Sequence, residues 1–241
     1  MKKIKFIISY DGSQFFGSQK QPDKITVQGV IEEVLAILNI DTKLELSGRT
    51  DKDVHAFRQT ISCFIPSHWE DLNALKHKFN RLLPNSIFVR TIQEVDDKFH
   101  ARFSAKKREY RYLFTNRFLT PFNANYISYY KDINEDKINE VIKLFVGVHD
   151  FELFSKTGSE PESTIREIYN IKLYKYKDIY ILKFCANSYL RSQIRIIVDA
   201  IMKVSSGKLS VNDIQEQLKK RKQHTWTLAS PYGLYLSKII Y

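Results

Sequence analysis

"TKLELSGRTDKDVHAFRQTISCFI", residues 42–65, contains two runs of alternating apolar and polar residues, 42–48 and 57–65, separated by a highly charged stretch. A period of two is the pattern of strands that rest one face on a core. The two runs therefore predict a pair of strands. Gly48 closes the first, and Arg49 to Ala56 form the connection. A simple hairpin uses roughly two to five loop residues and a pair such as Asn-Gly. This connection is longer and has no glycine after Gly48.

Outward from this pair, "KIKFIISY" (3–10) alternates as another strand. Val27, Val30, Ile31, Val34, Leu35 and Leu38 fall at helical spacing, with Thr26 placed to cap them. On the far side Leu72, Leu75, Phe79 and Leu82 mark a second helix that Pro84 stops, and "SIFVRTIQEV" (86–95) is again a strand. The order is β-α-β-β-α-β.

The second half repeats it. "EYRYLFTN" (109–116) is a strand, and Ile138, Val141, Ile142 and Phe145 mark a helix. His149-Asp150 are expected to open a loop. "IYNIKLYKY" (168–176) and "IYILKFCA" (179–186) are strands joined at Lys177-Asp178. A helix is expected over about 188–204 and a short one after Ser210. "GLYLSKIIY" (233–241) closes the chain as a strand. The class is α+β. Two ferredoxin-like halves, 1–104 and 105–241, are expected to join into one mostly antiparallel sheet with helices on one face. The open face would form an RNA-binding cleft, as sheets of this type do for single strands. The charged loop 48–56 lies in the first half.

Composition narrows the partners. Lys and Arg number 38 against 27 Asp and Glu in 241 residues, a net charge of +11. Such an excess attracts polyanions, nucleic acid first among them. "AKKREYRYLFTNR" (105–117) and "QLKKRKQH" (217–224) are the densest basic stretches, and the first interleaves aromatic residues. No apolar run reaches about 18 residues, so no membrane span is expected. The lysine-led start has too short an apolar run for a signal peptide and reads as a strand. Cys63 and Cys185 are the two cysteines, far apart and in apolar contexts. That speaks against a disulfide framework or cysteine metal site and suits a reducing cytoplasm.

The loop holds Arg49, Asp51, Lys52, Asp53 and His55. Such a cluster is either a solvated turn with local ion pairs or a site whose acid stays ionised. "GRTDKDVHA" (48–56) resembles the signature of the tRNA pseudouridine synthase A family. "YDGSQFFGSQKQ" (10–21) with "TVQGVIEEVL" (26–35), "FHARFSAKKREYRY" (99–112), "FVGVHDFELF" (145–154), "STIREI" (163–168), "YLRSQIRIIV" (189–198) and "ASPYGLYL" (229–236) match its other blocks in order.

The resemblance implies a cofactor-free homodimer of two ferredoxin-like halves. It implies conversion of uridine to pseudouridine in the tRNA anticodon arm, commonly at positions 38 to 40. It makes Asp51 the acting carboxylate, as nucleophile or as base. Arg49 corresponds to an arginine that holds the flipped arrangement and contacts phosphate, Tyr110 to the active-site tyrosine, and Arg195 to the arginine that pairs with the aspartate. Lys106, Lys107 and Arg108 are the basic residues of the central block and candidate RNA contacts. Each has a plainer role available: Arg49 as ion-pair partner of Asp51 or Asp53, Tyr110 as a packed strand residue, Arg195 as a helix-surface pair with Asp199. His55 reads as a structural hydrogen-bonding residue, and His100 stays ambiguous.

Several positions depart from the family pattern. Ser18 replaces the family's usual tryptophan, and Asp53 replaces a glycine; aspartate is one of the few residues that tolerates φ > 0. "YLRSQIRIIV" also departs from the family's usual wording while keeping the aromatic-Leu start and the arginine. A non-catalytic RNA-binding protein fits the charge, aromatics and topology equally, and Asp51 is what separates the two readings. A synthase acting on ribosomal RNA is a third.

Overall fold

The computed structural model describes residues 1–158 and 161–241. It divides into two compact units, Met1–Lys106 with Tyr235–Tyr241, and Lys107–Leu234. In the first unit β1 (Lys2–Tyr10) leads through a 3-10 turn at Gly12–Gln14 to α1 (Val27–Ile37) and β2 (Glu45–Leu46). Then come β3 (His55–Ile65), α2 (Leu72–Leu82) and β4 (Ile87–Glu94). In the second, β5 (Lys107–Thr115), β6 (Ser128–Tyr129) and α3 (Glu135–Val141) precede β7 (Gly147–Asp150), β8 (Ile165–Tyr176) and β9 (Ile179–Ala186). The helices α4 (Gln193–Ser205) and α5 (Val211–Leu218) follow, and β10 (Leu234–Ile240) ends the chain. The protein is a mixed α+β structure with mostly antiparallel strand pairs.

Local chemistry sets the helix ends. Thr26 Oγ1 accepts the Gly29 amide at 3.2 Å and starts α1. Asp71 Oδ1 accepts the Asn73 and Ala74 amides at 2.8 and 3.0 Å and starts α2, which ends at Leu82, two residues before Pro84. Ser210 and Asp213 form a capping box at α5. The helix expected from about residue 188 begins five residues later, at Gln193. Ser192 holds a left-handed φ of 57°, and the Gln193 side chain accepts the Leu190 amide at 2.7 Å, so the residues before it form a turn.

In the first unit β1 lies between β3 and β4, antiparallel to both. The other edge of β3 is shared. Glu45 and Leu46 of β2 pair with Ser62 and Ile61, while Tyr235 and Leu236 of β10 run parallel beside His55 and Ala56. The strand expected over 42–48 is thus two residues long. The expected last strand of the 105–241 half contributes its residues 235–241 to this unit. Ile4, Phe6 and Ile8 of β1 and Ile61, Cys63 and Ile65 of β3 are buried, as are Ile31 and Leu35 of α1 and Leu75 and Phe79 of α2. Phe6 meets Phe79 at 5.3 Å between ring centroids.

The second unit orders its strands β5-β9-β8-β7, all antiparallel, with β6 parallel to β5. Tyr112, Phe114, Leu182 and Phe184 face its core with Ile197 and Ile201 of α4. His149-Asp150 do not open a loop: they end β7, paired with Arg166 and Ile165 of β8. That pairing partner lies beyond any local pattern.

Candidate active site

The loop 49–54 is clasped from one side by residues 10–18. Ser18 is fully buried; its amide donates to the Thr50 carbonyl at 3.2 Å, and its Oγ accepts the Thr50 amide at 2.8 Å. The Thr50 hydroxyl lies 2.8 Å from Tyr10 Oη, which also donates to Gln59 Oε1. Gln59, buried on β3, returns its amide to the Gly48 carbonyl at 2.8 Å. The residue before Asp51 is therefore fixed at backbone and side chain. Asp51 is half-buried, and its carbonyl accepts the Val54 amide at 3.2 Å, closing a turn. Lys52 reaches across to Phe16, its Nζ 4.6 Å from the ring centroid.

This approach needs small residues. A Cβ on Gly12 would overlap the Val54 carbonyl, and one on Gly17, which has φ +93°, would sit 2.9 Å from the Thr50 carbonyl. Within the loop Asp53 takes φ 65°, the left-handed conformation that the family's glycine would adopt without strain.

His55 is 1% exposed. Its Nδ1 accepts the Gly12 amide at 3.0 Å, which puts the ring proton of neutral His55 on Nε2. Its ring stacks on Tyr235 at 4.6 Å, and Phe57 stacks on the same tyrosine at 4.5 Å. His55 thus ties the 10–14 turn to the end of the loop. His100 also serves structure: its Nδ1 accepts the Arg102 amide at 3.1 Å. Arg49 is exposed and forms no ion pair with Asp51 or Asp53 among the described residues.

The other candidates lie mostly in the second unit. Tyr110, 9% exposed, sits on β5 opposite Phe184 and meets Tyr189 edge-on at 5.3 Å. Burial pushes the Tyr189 hydroxyl well above its ordinary pKa. Arg195 is half-buried on α4; its Nε donates to the Ala229 carbonyl at 2.7 Å, and the Ala229 amide returns to the Arg195 carbonyl at 3.1 Å. Asp199 takes hydrogen bonds from the Thr225 and Thr227 hydroxyls and an ion pair from Lys203 at 2.8 Å. Nearby, Tyr112 Oη lies 2.8 Å from Ser128 Oγ and 3.1 Å from Tyr130 Oη. Burial raises both tyrosine pKa values; the charge of Arg195 opposes this and that of Asp199 adds to it.

Of the basic trio, Lys106 and Lys107 are exposed, Lys107 over the Tyr169 ring at 4.7 Å. Arg108 is half-buried, and its guanidinium donates to the Asn187 carbonyl at 2.7 Å. Tyr10, Thr50 and Gln59 were not among the sequence candidates, nor was the buried hydrogen bond of Ser18. Their one signal was the glycine pair of "YDGSQFFGS", which marks a close backbone approach.

Two other clusters have plainer readings. Asp213, Glu216 and His224 bring possible metal-ligand atoms within 4.8 Å of one another. His224, however, meets Asp213 through Nδ1 at 3.4 Å and Glu216 through Nε2 at 3.1 Å. An imidazole offers a metal one nitrogen, so this is a ring held between two carboxylates. Cys63 is buried, which pushes its thiol up to about 12 and away from nucleophilic use.

A family model described as tRNA pseudouridine synthase matches residues 6–104 and 141–241. A protein of Campylobacter jejuni called tRNA pseudouridine synthase A is 42% identical over 241 residues, the whole of both chains. Proteins of the same name from Wolinella succinogenes and Helicobacter pylori are 39% and 37% identical. The first alignment covers 99% of this chain and 94% of the relative, the second all of both. Among the described residues no helix is long and apolar enough to cross a membrane.

Proposed function

The chain belongs to the tRNA pseudouridine synthase family, an isomerase family, and from that premise we propose that it isomerises uridines of the anticodon arm with Asp51 as the acting carboxylate. The positions 38 to 40 belong to this reading, as do a homodimer, a cytoplasmic setting and a ferredoxin-like architecture for each unit.

The reaction accounts for the residue types. The C1′–N1 bond breaks, the uracil turns, and a C1′–C5 bond forms; C5 loses a proton and N1 gains one. Nothing is oxidised and no water is consumed, so the chemistry calls for an ionised carboxylate beside the sugar. The target base must first leave its stack. Arg49, exposed at the start of the loop, suits a phosphate contact. Tyr110 offers a ring to the uracil and a hydroxyl for proton removal at C5. Arg195 is read, by the family resemblance, as the arginine that pairs with the aspartate.

The observation that supports Asp51 most directly is the clasp around Thr50, because a solvated surface turn has no need of buried Ser18, Tyr10 and Gln59 hydrogen bonds. Asp51→Asn is expected to cut tritium release from C5-labelled tRNA by roughly 10²–10⁴-fold and to leave tRNA binding in a gel shift nearly unchanged. Near wild-type release from the Asn protein would remove Asp51 from the chemistry.

A further inference from the structure

Residues 116–131, "NRFLTPFNANYISYYK", contain two cations, Arg117 and Lys131, and no acidic residue. Phe118 and Phe122 are 89% and 91% exposed, the highest values among the exposed large apolar side chains. They are presented by a built turn: the Thr120 amide donates to Asn123 Oδ1 at 2.7 Å, and the Asn123 and Ala124 amides donate to the Thr120 carbonyl at 3.1 and 3.0 Å. Phe118 is backed by Tyr129, with centroids 5.8 Å apart and planes within 11°. The preceding residues Asn116 and Arg117 line a surface hollow of about 380 Å³ together with Lys175, Asp178 and Tyr180. Arg117 and Lys175 make exposed ion pairs there, with Asp178 and Glu135, each at 3.6 Å. Pairs of that kind contribute little and yield readily to another anion.

We propose that Phe118 and Phe122 form a stacking platform for unpaired bases of the RNA substrate, with Arg117 and Lys175 taking an adjacent phosphate. This rests on the tRNA reading above and adds to it a contact surface in the 116–131 segment. Exposed rings next to cations are what sequence-tolerant single-strand binding uses, because every base has a face to stack.

A second copy of the chain is the other candidate occupant of this particular face, and two observations favour RNA here. Two phenylalanine rings offer a few hundred Å², well short of the roughly 800 Å² per partner of a stable interface. RNA also brings the charge opposite to Arg117 and Lys131 of this segment, which holds no acidic residue.

The test replaces both rings by leucine, which keeps apolar bulk and removes the aromatic face. Phe118→Leu/Phe122→Leu is expected to weaken binding of unmodified tRNA at fixed salt by roughly 10- to 100-fold. The single-turnover rate at saturating tRNA and the solution mass should stay unchanged. Phe118→Trp/Phe122→Trp should restore affinity. Leucine variants that bind like wild type would overturn the platform, and so would a leucine variant whose solution mass differs from wild type, since the face would then join copies. A wild-type protein that neither binds tRNA nor releases tritium would remove the tRNA reading itself, a result separable from failure of the platform alone.

Discussion

Ser18 shows how a single atom fixes the loop that holds the proposed carboxylate. Its Oγ is the acceptor for the amide of Thr50, the residue before Asp51, and it is fully buried. Where the family pattern usually has tryptophan, a hydroxyl here joins the two segments directly. Ser18→Ala would leave the Thr50 amide without that partner, at a cost of about 1–3 kcal/mol. The expected signature is a modest fall in melting temperature and a roughly tenfold slower single turnover, about 1.4 kcal/mol on the barrier, with tRNA affinity unchanged. Equal rates for Ser18→Ala and wild type would show that the clasp does not position the loop. Asp53 makes the complementary point: φ 65° is tolerable for aspartate but costly for a β-branched residue.

The strands adjust to the site. β1 and β3 slip register between Ile8 and Tyr10, so that Ile8 faces Gln59 while Tyr10 faces Ala56. That bulge breaks the alternation at Phe57-Arg58, both exposed, beside the charged loop. Farther along the same pair of strands, Lys3 on β1 is buried and donates to both Glu45 oxygens at 2.9 Å, with Ser62 Oγ donating to the same carboxylate at 2.6 Å. Burial alone would raise the Glu45 pKa, but the Ser62 and Lys3 hydrogen bonds outweigh it and the net shift is downward. A carboxyl with a lowered folded pKa contributes stability that is complete above its unfolded value, about 4.3, and is lost as pH falls through the folded value. Glu45→Gln should therefore cost roughly 2 kcal/mol near neutrality, because Lys3 loses its counter-charge. The deficit should shrink below about pH 4. Urea unfolding at the two pH values measures both; a deficit that persists undiminished in acid would rule out the ion pair as its source.

Over the whole molecule the +11 charge sets the salt dependence expected of the proposed RNA binding. Binding that releases counterions weakens linearly on a log–log salt plot, by about 0.7–0.9 per phosphate contact. Lys106→Glu and Lys107→Glu, at exposed positions, should each reduce that slope by about one contact and leave the melting temperature nearly unchanged. Arg108→Glu should behave differently. Its guanidinium is tied to the Asn187 carbonyl, so reversal should lower stability before it alters the slope. Titrations at several salt concentrations with parallel melts check this, and a salt-independent wild-type affinity would contradict the polyanion basis of the charge.

What the chain wrote into its own sequence was what short-range physics controls. Helical spacing with Thr26 and Pro84 marked α1 and α2, alternation marked β1, β3 and β9, and a cluster of charges after Gly48 drew attention to Asp51. Family blocks in order along nearly the whole chain pointed to the reaction. What only the tertiary structure decided were contacts between residues far apart in the chain. Ser18 meets Thr50 across 32 positions, and Thr225 meets Asp199 across 26. Tyr235 stacks on His55 and Phe57 from the last strand, and His149-Asp150 become strand only because β8 lies alongside. No local period encodes such partners. A hydroxyl, a ring or a strand edge carries the same residue letter whether it faces water or a neighbour, and its partner is chosen when the core closes and each buried polar group must find a hydrogen bond.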